Sequence, residues 1–272
     1  MRAPRALLLH AALVAGAILT LTPLLWMLSA SFMAPGEANQ APPRFLPAVP
    51  TLEHYRALFV RLDLARNFGN SLIVATLGTT IGLVLNAMAG YAFAKLRFPG
   101  REGLFRALVA ALVIPAQVGM LPLFLLLQQM GLVNTLWGVA LPSFASIFGI
   151  FLVRQFAMAI PDDLIDAARI DGASEGRIFW TLVLPILAPV LVTLGLFTFL
   201  ASWNDFMWPL IILSDSSRYT LPVALANLVG EHVQDTELMM AGAVLTVMPV
   251  LVLFLALQRF YTRGILAGSL KD

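Results

Sequence analysis

The stretch Asn70–Ala94, NSLIVATLGTTIGLVLNAMAGYAFA, contains no Asp, Glu, Lys or Arg. It exceeds the ~20 predominantly apolar residues that carry an α-helix across a bilayer. Gly78, Gly82 and Gly90, with Ala75 and Ala89, line up on it as a stripe of small residues. Such stripes mark a helix that another helix approaches closely. The segment therefore reads as a packed transmembrane helix, and the whole chain is apolar as well. Of the 272 residues, 60% are hydrophobic and only 12% charged, with a mean hydropathy of +0.87. Soluble domains hold about 45–50% apolar and about 25% charged residues. A water-soluble domain and a disordered chain are both excluded.

Working outward, five more apolar runs reach spanning length. The expected helices cover 6–32, 70–94, 104–127, 136–152, 188–213 and 238–257. The first begins behind Arg2 and Arg5 and ends near Ser29-Ala30-Ser31, as a secretory signal would. Its run from Ala6 to Leu28 is longer than the ~7–15 residues of a signal core, so it reads as a retained helix. The expected fold is an all-α integral membrane protein with six transmembrane helices, one transmembrane domain over residues 1–272.

Lys and Arg set the orientation. With the N-terminus in the cytoplasm, only Arg44, Arg56, Arg61, Arg66 and Arg218 of the 17 basic residues fall outside. The acids show no such bias. Both termini are expected in the cytoplasm. The external loop 33–69 is rich in Pro (Pro35, Pro42, Pro43, Pro47, Pro50), and Thr51 can cap a short helix over 52–59. Loop 214–237 is external, polar and acidic.

The net charge of +2 comes with no basic face or stripe, so nucleic acid is not an expected partner. Cysteine is absent, which excludes disulfides, thiolate metal sites and cysteine nucleophiles. No phosphate-cradling G-x-x-x-x-G-K-[ST], no G-x-S-x-G and no H-E-x-x-H occurs. His10, His54 and His232 share no metal-ligand spacing. Neither an active site nor a metal site is expected, and any ATPase must be another chain.

The cytoplasmic stretch 154–185 is too long for a simple connection. Pro161 followed by Asp162 and Asp163 starts a helix. Asp171-Gly172 is a turn, and Ser174 with Glu175 starts a second short helix, expected to end at Pro185. Leu164, Ile165, Ala168, Ile178, Phe179 and Leu182 give this two-helix loop an apolar face. That face either packs on the chain's own helices or lies in the lipid headgroups, or else docks a soluble partner.

Asp166-Ala167-Ala168, then three residues, Gly172, nine residues, Leu182, one residue and Leu184-Pro185 resembles the EAA loop of ABC importer permeases. Two positions depart in kind only: Asp166 stands for Glu, and Leu182 for Ile. The stretch 168–174 (ARIDGAS), 203–210 (WNDFMWPL) and 258–268 (QRFYTRGILAG) are similar to permeases of the carbohydrate importer class, of the maltose and glycerol-3-phosphate type. The resemblance covers nearly the whole chain. It implies a subunit of the bacterial inner membrane that forms half of a translocation path for an oligosaccharide, a disaccharide or glycerol 3-phosphate. It also implies a second permease, an ATPase dimer holding ATP and Mg, and an extracytoplasmic solute-binding protein, with no cofactor on this chain. Asp166, Ala167, Ala168, Gly172, Leu182, Leu184 and Pro185 would then couple the chain to the ATPase. ATP-driven closure of the ATPase would pull the loop inward and tilt the attached helices.

Polar groups within a bilayer are costly and often functional. Asn204 and Asp205, flanked by Trp203 and Trp208, lie roughly 24 Å along the fifth expected helix at about 1.5 Å per residue. Trp203, Asn204 and Asp205 are candidates for the solute path; an interfacial aromatic belt or a kink at Pro209 are the other readings. Asn86, Gln117, Gln128 and Asn227 suit interhelical hydrogen bonds. The competing function is a self-powered secondary transporter or channel, which would favour inverted repeats and midplane charges.

Overall fold

Backbone in hydrocarbon has no water to bond, so uncharged runs close their hydrogen bonds on themselves as helices. The computed structural model describes residues 3–42, 44–61, 63–231 and 235–269, and all its regular elements among them are helical. They are α1 (Ala3–Ala30), α2 (Glu53–Arg61), α3 (Leu64–Lys95), α4 (Arg101–Ala111), α5 (Met120–Gln129), α6 (Leu136–Ala140), α7 (Ile147–Met158), α8 (Asp162–Ile170), α9 (Glu175–Ile178), α10 (Leu184–Trp203), α11 (Met207–Ile212), α12 (Leu221–Glu231) and α13 (Thr236–Ser269). Arg2, Pro43, His232 and Lys271, used in reading the sequence, lie outside the described residues.

Among the described residues, five stretches are long and apolar enough to cross a bilayer: Leu8–Ala30, Leu64–Lys95, Leu136–Met158, Glu175–Trp203 and Thr236–Ala256. The run expected as one helix over 104–127 is instead a pair, Arg101–Ala111 and Ala116–Gln129, bent by 100°. Pro115 is the cause. It has no N–H, and it holds the preceding residue out of the helical region. Counted as one span, the pair brings the number to six.

The chain forms two compact units, Met1–Ala65 with Leu221–Val252, and Arg66–Thr220 with Leu253–Asp272. In the first, Thr51 accepts a hydrogen bond from the Glu53 N–H (3.1 Å) and so opens α2. The start of α13 ties down the Pro-rich loop: fully buried Glu237 accepts from the Ala38 N–H (2.7 Å), and Thr236 bonds Asn39. His54 is also buried, with its Nε2–H donating to the Met33 carbonyl (3.0 Å).

In the second unit the small-residue stripe of α3 meets the fourth span. A β-carbon on Gly82 would lie 2.9 Å from the Ser143 carbonyl oxygen, and one on Gly90 2.6 Å from Val153. The fourth span is itself interrupted. A single 3-10 turn, Leu141–Phe144, follows α6, and Ala145 is extended (φ −133°, ψ 111°) before α7 begins. Asn86 fills the gap. Its Oδ1 accepts the freed Ser146 N–H at 2.9 Å, so of the four amides named above Asn86 does bridge two helices. Gln117, Gln128 and Asn227 are exposed.

The fifth span also departs from the sequence reading, which stops a short helix at Pro185 and starts another near Ala188. Leu184 is helical (φ −60°, ψ −43°), and α9 runs without a stop into α10. Pro185 is accommodated by a π-helical turn, Phe179–Val183, in which the Leu184 N–H reaches back to the Phe179 carbonyl. The wider turn moves the ladder off the residue whose carbonyl the proline ring would strike. At the other end α10 stops at Trp203, not at Leu213. Asn204 to Phe206 form a break, and Pro209 falls in the first turn of α11, where a missing N–H leaves nothing unpaired.

Candidate functional site

Two places in the second unit gather the residues singled out above. The first is the pair of short helices α8 and α9. Asp162 and Asp163 occupy the first turn of α8, with Pro161 one residue ahead as its N-cap. Gly172 has φ +82°, a conformation that costs other residues roughly 1–2 kcal/mol. There the Ala173 N–H bonds the Ala168 carbonyl and the Gly172 N–H bonds the Arg169 carbonyl, both at 3.0 Å. This is a Schellman stop, which satisfies the last carbonyls of α8 and turns the chain. A β-carbon at Gly172 would meet nothing within 4 Å, so the glycine serves the turn and not a close contact. Ser174 then caps α9, accepting from the Arg177 N–H (3.4 Å).

The apolar face of this hinge is divided. Ile165, Ile178 and Phe179 are buried in one core with Ala87, Tyr91 and Val153, and Ala168, Ala173, Leu182 and Leu184 pack against it. Leu164 (41% exposed), Ile170 (86%) and Trp180 (52%) face outward. Packing on the chain's own helices therefore accounts for Ile165, Ala168, Ile178, Phe179 and Leu182 of the expected face, and Leu164 is left outside it. Asp166, Ala167, Ala168 and Gly172 come together in the hinge; Leu182, Leu184 and Pro185 lie further on, where the π turn enters α10.

Polar contacts that sequence reading missed fix the hinge. Arg169 reaches Asp166 (Nη1 to Oδ1, 2.8 Å) and Glu175 (Nε to Oε1, 2.7 Å), and the Tyr91 hydroxyl donates to the other Glu175 oxygen (3.0 Å). Lys95, nearly buried, donates to the Ile160 carbonyl (2.5 Å) and to Asp162 (2.6 Å). The one local signal was Asp166 three residues before Arg169, neighbours on one helix face. Tyr91 and Lys95 are 84 and 67 residues from their partners.

The Lys95 hydrogen bond, and then its charge, hold the Asp162 carboxyl below the usual carboxylate range. A lowered carboxyl stabilises the folded state above its unfolded value, about 3.9, and that contribution is lost as pH falls through the folded value. Hydrogen-exchange protection of 162–170, corrected for intrinsic rates, is therefore expected to hold between pH 5 and 8 and to drop only below about pH 4. A drop near pH 6 would rule out Asp162 as the titrating group.

The second place is a cleft of about 450 Å³. The broken fourth span supplies Ser143 and Ser146, α10 supplies Thr198 and Ser202, and Asp205 also lines it. Phe148 and Phe197 stand on its rim, about half exposed. The three solute-path candidates part company here. Asp205 lines the cleft while its Oδ1 accepts from the Trp208 N–H (3.4 Å) in the first turn of α11. Trp203 is fully buried, stacked on Phe199 (5.9 Å) and edge-on to Phe68 (5.4 Å), and belongs to the core. Asn204 is exposed and donates to the Leu200 carbonyl (2.9 Å), ending α10. Trp208 is buried as well, its indole N–H on the Gly138 carbonyl (3.1 Å). The four hydroxyl residues carried no sequence signal beyond Thr198 and Ser202 sharing a helix face.

Residues 78–266 match the family model described as "Binding-protein-dependent transport system inner membrane component". The arabinooligosaccharides transport system permease protein AraQ of Halalkalibacterium halodurans is 36% identical over 94% of this chain and 92% of its own length. The lactose transport system permease protein LacG of Rhizobium radiobacter is 31% identical over 96% and 95%. Among solved structures, a chain of a bacterial ABC transporter involved in the import of the acidic polysaccharide alginate superposes with a TM-score of 0.84 at 23% identity. That superposition covers 96% of this chain and 98% of the other, and the likeness is one of fold.

Proposed function

This chain belongs to the family of binding-protein-dependent transport system inner membrane components, and we propose that the solute it carries is a neutral carbohydrate, an oligosaccharide or disaccharide. It is a multi-pass permease subunit of an ABC importer; the self-powered transporter is set aside by that membership. The relatives' solutes, arabinooligosaccharides and lactose, support the class. The cleft supports neutrality: among the described residues no Lys, Arg or His lines it, and a phosphorylated solute would call for such groups.

In this reading both termini and the α8–α9 hinge face the cytoplasm, and residues 1–272 act as one transmembrane domain with six spans. A second permease completes the path, a dimer of ATPase subunits binds ATP and Mg, and an extracytoplasmic protein delivers the solute. No ATPase chemistry resides on this chain. The hinge seats in the ATPase: Asp166, Ala167 and Gly172 meet it, while Ala168, Leu182, Leu184 and Pro185 carry the push into α10. The division of the hinge's apolar residues is the observation that carries this assignment. One set locks the hinge to the helices it must move, and Leu164 and Ile170 are left outward for a partner.

The test uses the absence of cysteine. Ile170→Cys gives a single thiol at the most exposed of the hinge's large apolar residues. It is expected to form a disulfide with a cysteine placed in the docking cleft of the co-expressed ATPase, in a yield that changes on adding ATP. Val113→Cys, exposed but in the bend between α4 and α5, is the control. Equal yields at both positions, or none at Ile170 with and without ATP, would overturn the coupling role.

A further inference from the structure

We propose that the last turns of α1 and the proline-rich loop beside them form a groove that holds a phospholipid, with an acyl chain along α1 and the phosphate on Arg44. The groove lies wholly within the first unit and is independent of which solute is carried.

Its volume is about 670 Å³. The helix supplies Leu25, Trp26 and Leu28, and the loop supplies Phe45, Leu46 and Pro47. Two hydrogen bonds fix the loop in place. The Ser29 hydroxyl donates to the Phe45 carbonyl, and the Thr51 N–H donates to the Phe32 carbonyl (2.8 Å). The stretch 45–51 is thus tied at both ends to the close of α1. Trp26 also packs on the small core of Ala30, Met33 and Ala38.

Depth favours lipid. The lining runs from Thr22 to Phe32, about 15 Å along α1 and its closing turn at about 1.5 Å per residue. That is one leaflet's share of a hydrocarbon core about 30 Å thick. None of the spanning window of α1 is buried within this chain. The loop suits the same boundary. Phe45, Leu46 and Val49 are 65%, 76% and 72% exposed, three large apolar side chains within five residues. Pro47 and Pro50 have no N–H, and the Ala48 N–H is taken by Glu37 (2.8 Å), so the stretch brings few backbone donors that call for water.

Arg44 adds charge complementarity. It precedes Phe45, whose carbonyl is held at the last turn of α1, where the helix leaves the hydrocarbon. Its side chain is 57% exposed, and its contact with Glu37 is long, at 3.9 Å. Glu37 already accepts from the Ala34 and Ala48 N–H groups. The guanidinium therefore keeps donors for a phosphate, which Arg binds through paired N–H groups. A phospholipid supplies both parts: an apolar chain one leaflet long, and a negative charge at its outer end. A helix of a second subunit would match only the first.

The whole transporter, with its partner subunits, is reconstituted in vesicles of phosphatidylethanolamine and phosphatidylglycerol. A phosphatidylglycerol with a photoreactive group in its acyl chain is included. After illumination, lipid adducts are expected on the peptides carrying 22–32 and 45–50. Arg44→Ala is expected to lower them about fivefold, and Arg44→Lys, which keeps the charge without the fork, by about half. Adducts on 8–14 are expected to stay unchanged in both variants. If Arg44→Ala leaves all adducts alike, lipid merely surrounds α1 and the proposal is overturned. Adducts on 8–14 with none on 22–32 or 45–50 overturn it too, since protein then fills the groove. Spin labels give a reading that needs no change at Arg44. Labels on Leu46→Cys and Val49→Cys are expected to collide more with oxygen than with a water-soluble nickel chelate, as a label on Leu13→Cys in α1 does. A label on Glu53→Cys, exposed on α2, is expected to favour the chelate. Labels at 46 and 49 that behave like the one at 53 would place the loop in water and sink the proposal.

Discussion

Gly90→Leu is expected to abolish recovery of folded protein, and Gly90→Ala to lower stability by about 1–3 kcal/mol. A β-carbon at this position would lie 2.6 Å from both Cβ and Cγ1 of Val153 and 2.9 Å from the Arg154 backbone nitrogen. Val153 is fully buried and branched at Cβ, so it has no rotamer that clears the way, and the Arg154 amide is part of α7. Only a wider separation of α3 and α7 relieves the clash, and that opens voids along the core they share. Gly103 in α4 is the counterpart. A β-carbon there meets nothing within 4 Å, and Gly103→Ala is expected to stabilise by about 0.5–1 kcal/mol through the helix-forming preference alone. Heating detergent-solubilised protein and following the surviving monodisperse fraction compares the two. A Gly90→Ala protein that survives heating as well as the parent would show that α3 and α7 do not meet at this distance.

Arg169→Ala is expected to cut uptake about tenfold, within the ~0.5–2 kcal/mol by which residues between sites tune their coupling, and to change folding stability by less than about 1 kcal/mol. The small stability effect follows from exposure. Arg169, Asp166 and Glu175 side chains are 38%, 60% and 46% exposed, so water screens the pairs. The transport effect follows from geometry. The guanidinium holds Asp166 on α8 and Glu175 on α9 at once, and Glu175 is held to α3 through Tyr91. Without that fork the polar ties among α8, α9 and α3 are lost and, in the coupling role proposed above, part of the motion delivered to α8 would be absorbed before it reached α10. Arg169→Lys keeps the charge but offers no planar fork, and is expected to fall between the two. The measurement pairs uptake with ATP hydrolysis by the same reconstituted complex. Hydrolysis is expected to persist while uptake falls. Parallel loss of both, or loss of inserted protein, would assign Arg169 to assembly or folding instead.

Much of the hinge was legible because its signals are local. Pro161 with two acids, Asp171-Gly172 and Ser174 each state a start, a stop and a start within a few residues of the group they satisfy. The Gly78, Gly82 and Gly90 stripe likewise announced a close neighbour, though not which one. Proline was the ambiguous residue. Pro115 bends its run, Pro185 is absorbed by a π turn, and Pro209 sits harmlessly in a first turn; the same missing N–H has three outcomes set by what surrounds it. The solute-path reading suffered from the same limit. Trp203, Asn204 and Asp205 are consecutive, but the end of α10 sends one to the core, one to a cap and one to the cleft.

By itself the sequence determined the solvent and the class of structure. With so few charges the bilayer is the medium in which this chain is stable, and uninterrupted apolar runs of about 20 residues satisfy their backbone there as helices. Its motifs also resembled those of importer permeases, the family to which it belongs. Tertiary structure alone decided where the spans break and which distant polar groups meet: Asn86 with Ser146, Tyr91 with Glu175, Lys95 with Asp162. Hydropathy averages over about 20 residues and cannot register a break of three. A hydrogen bond between residues far apart in sequence exists only once helix packing has brought its partners within about 3 Å.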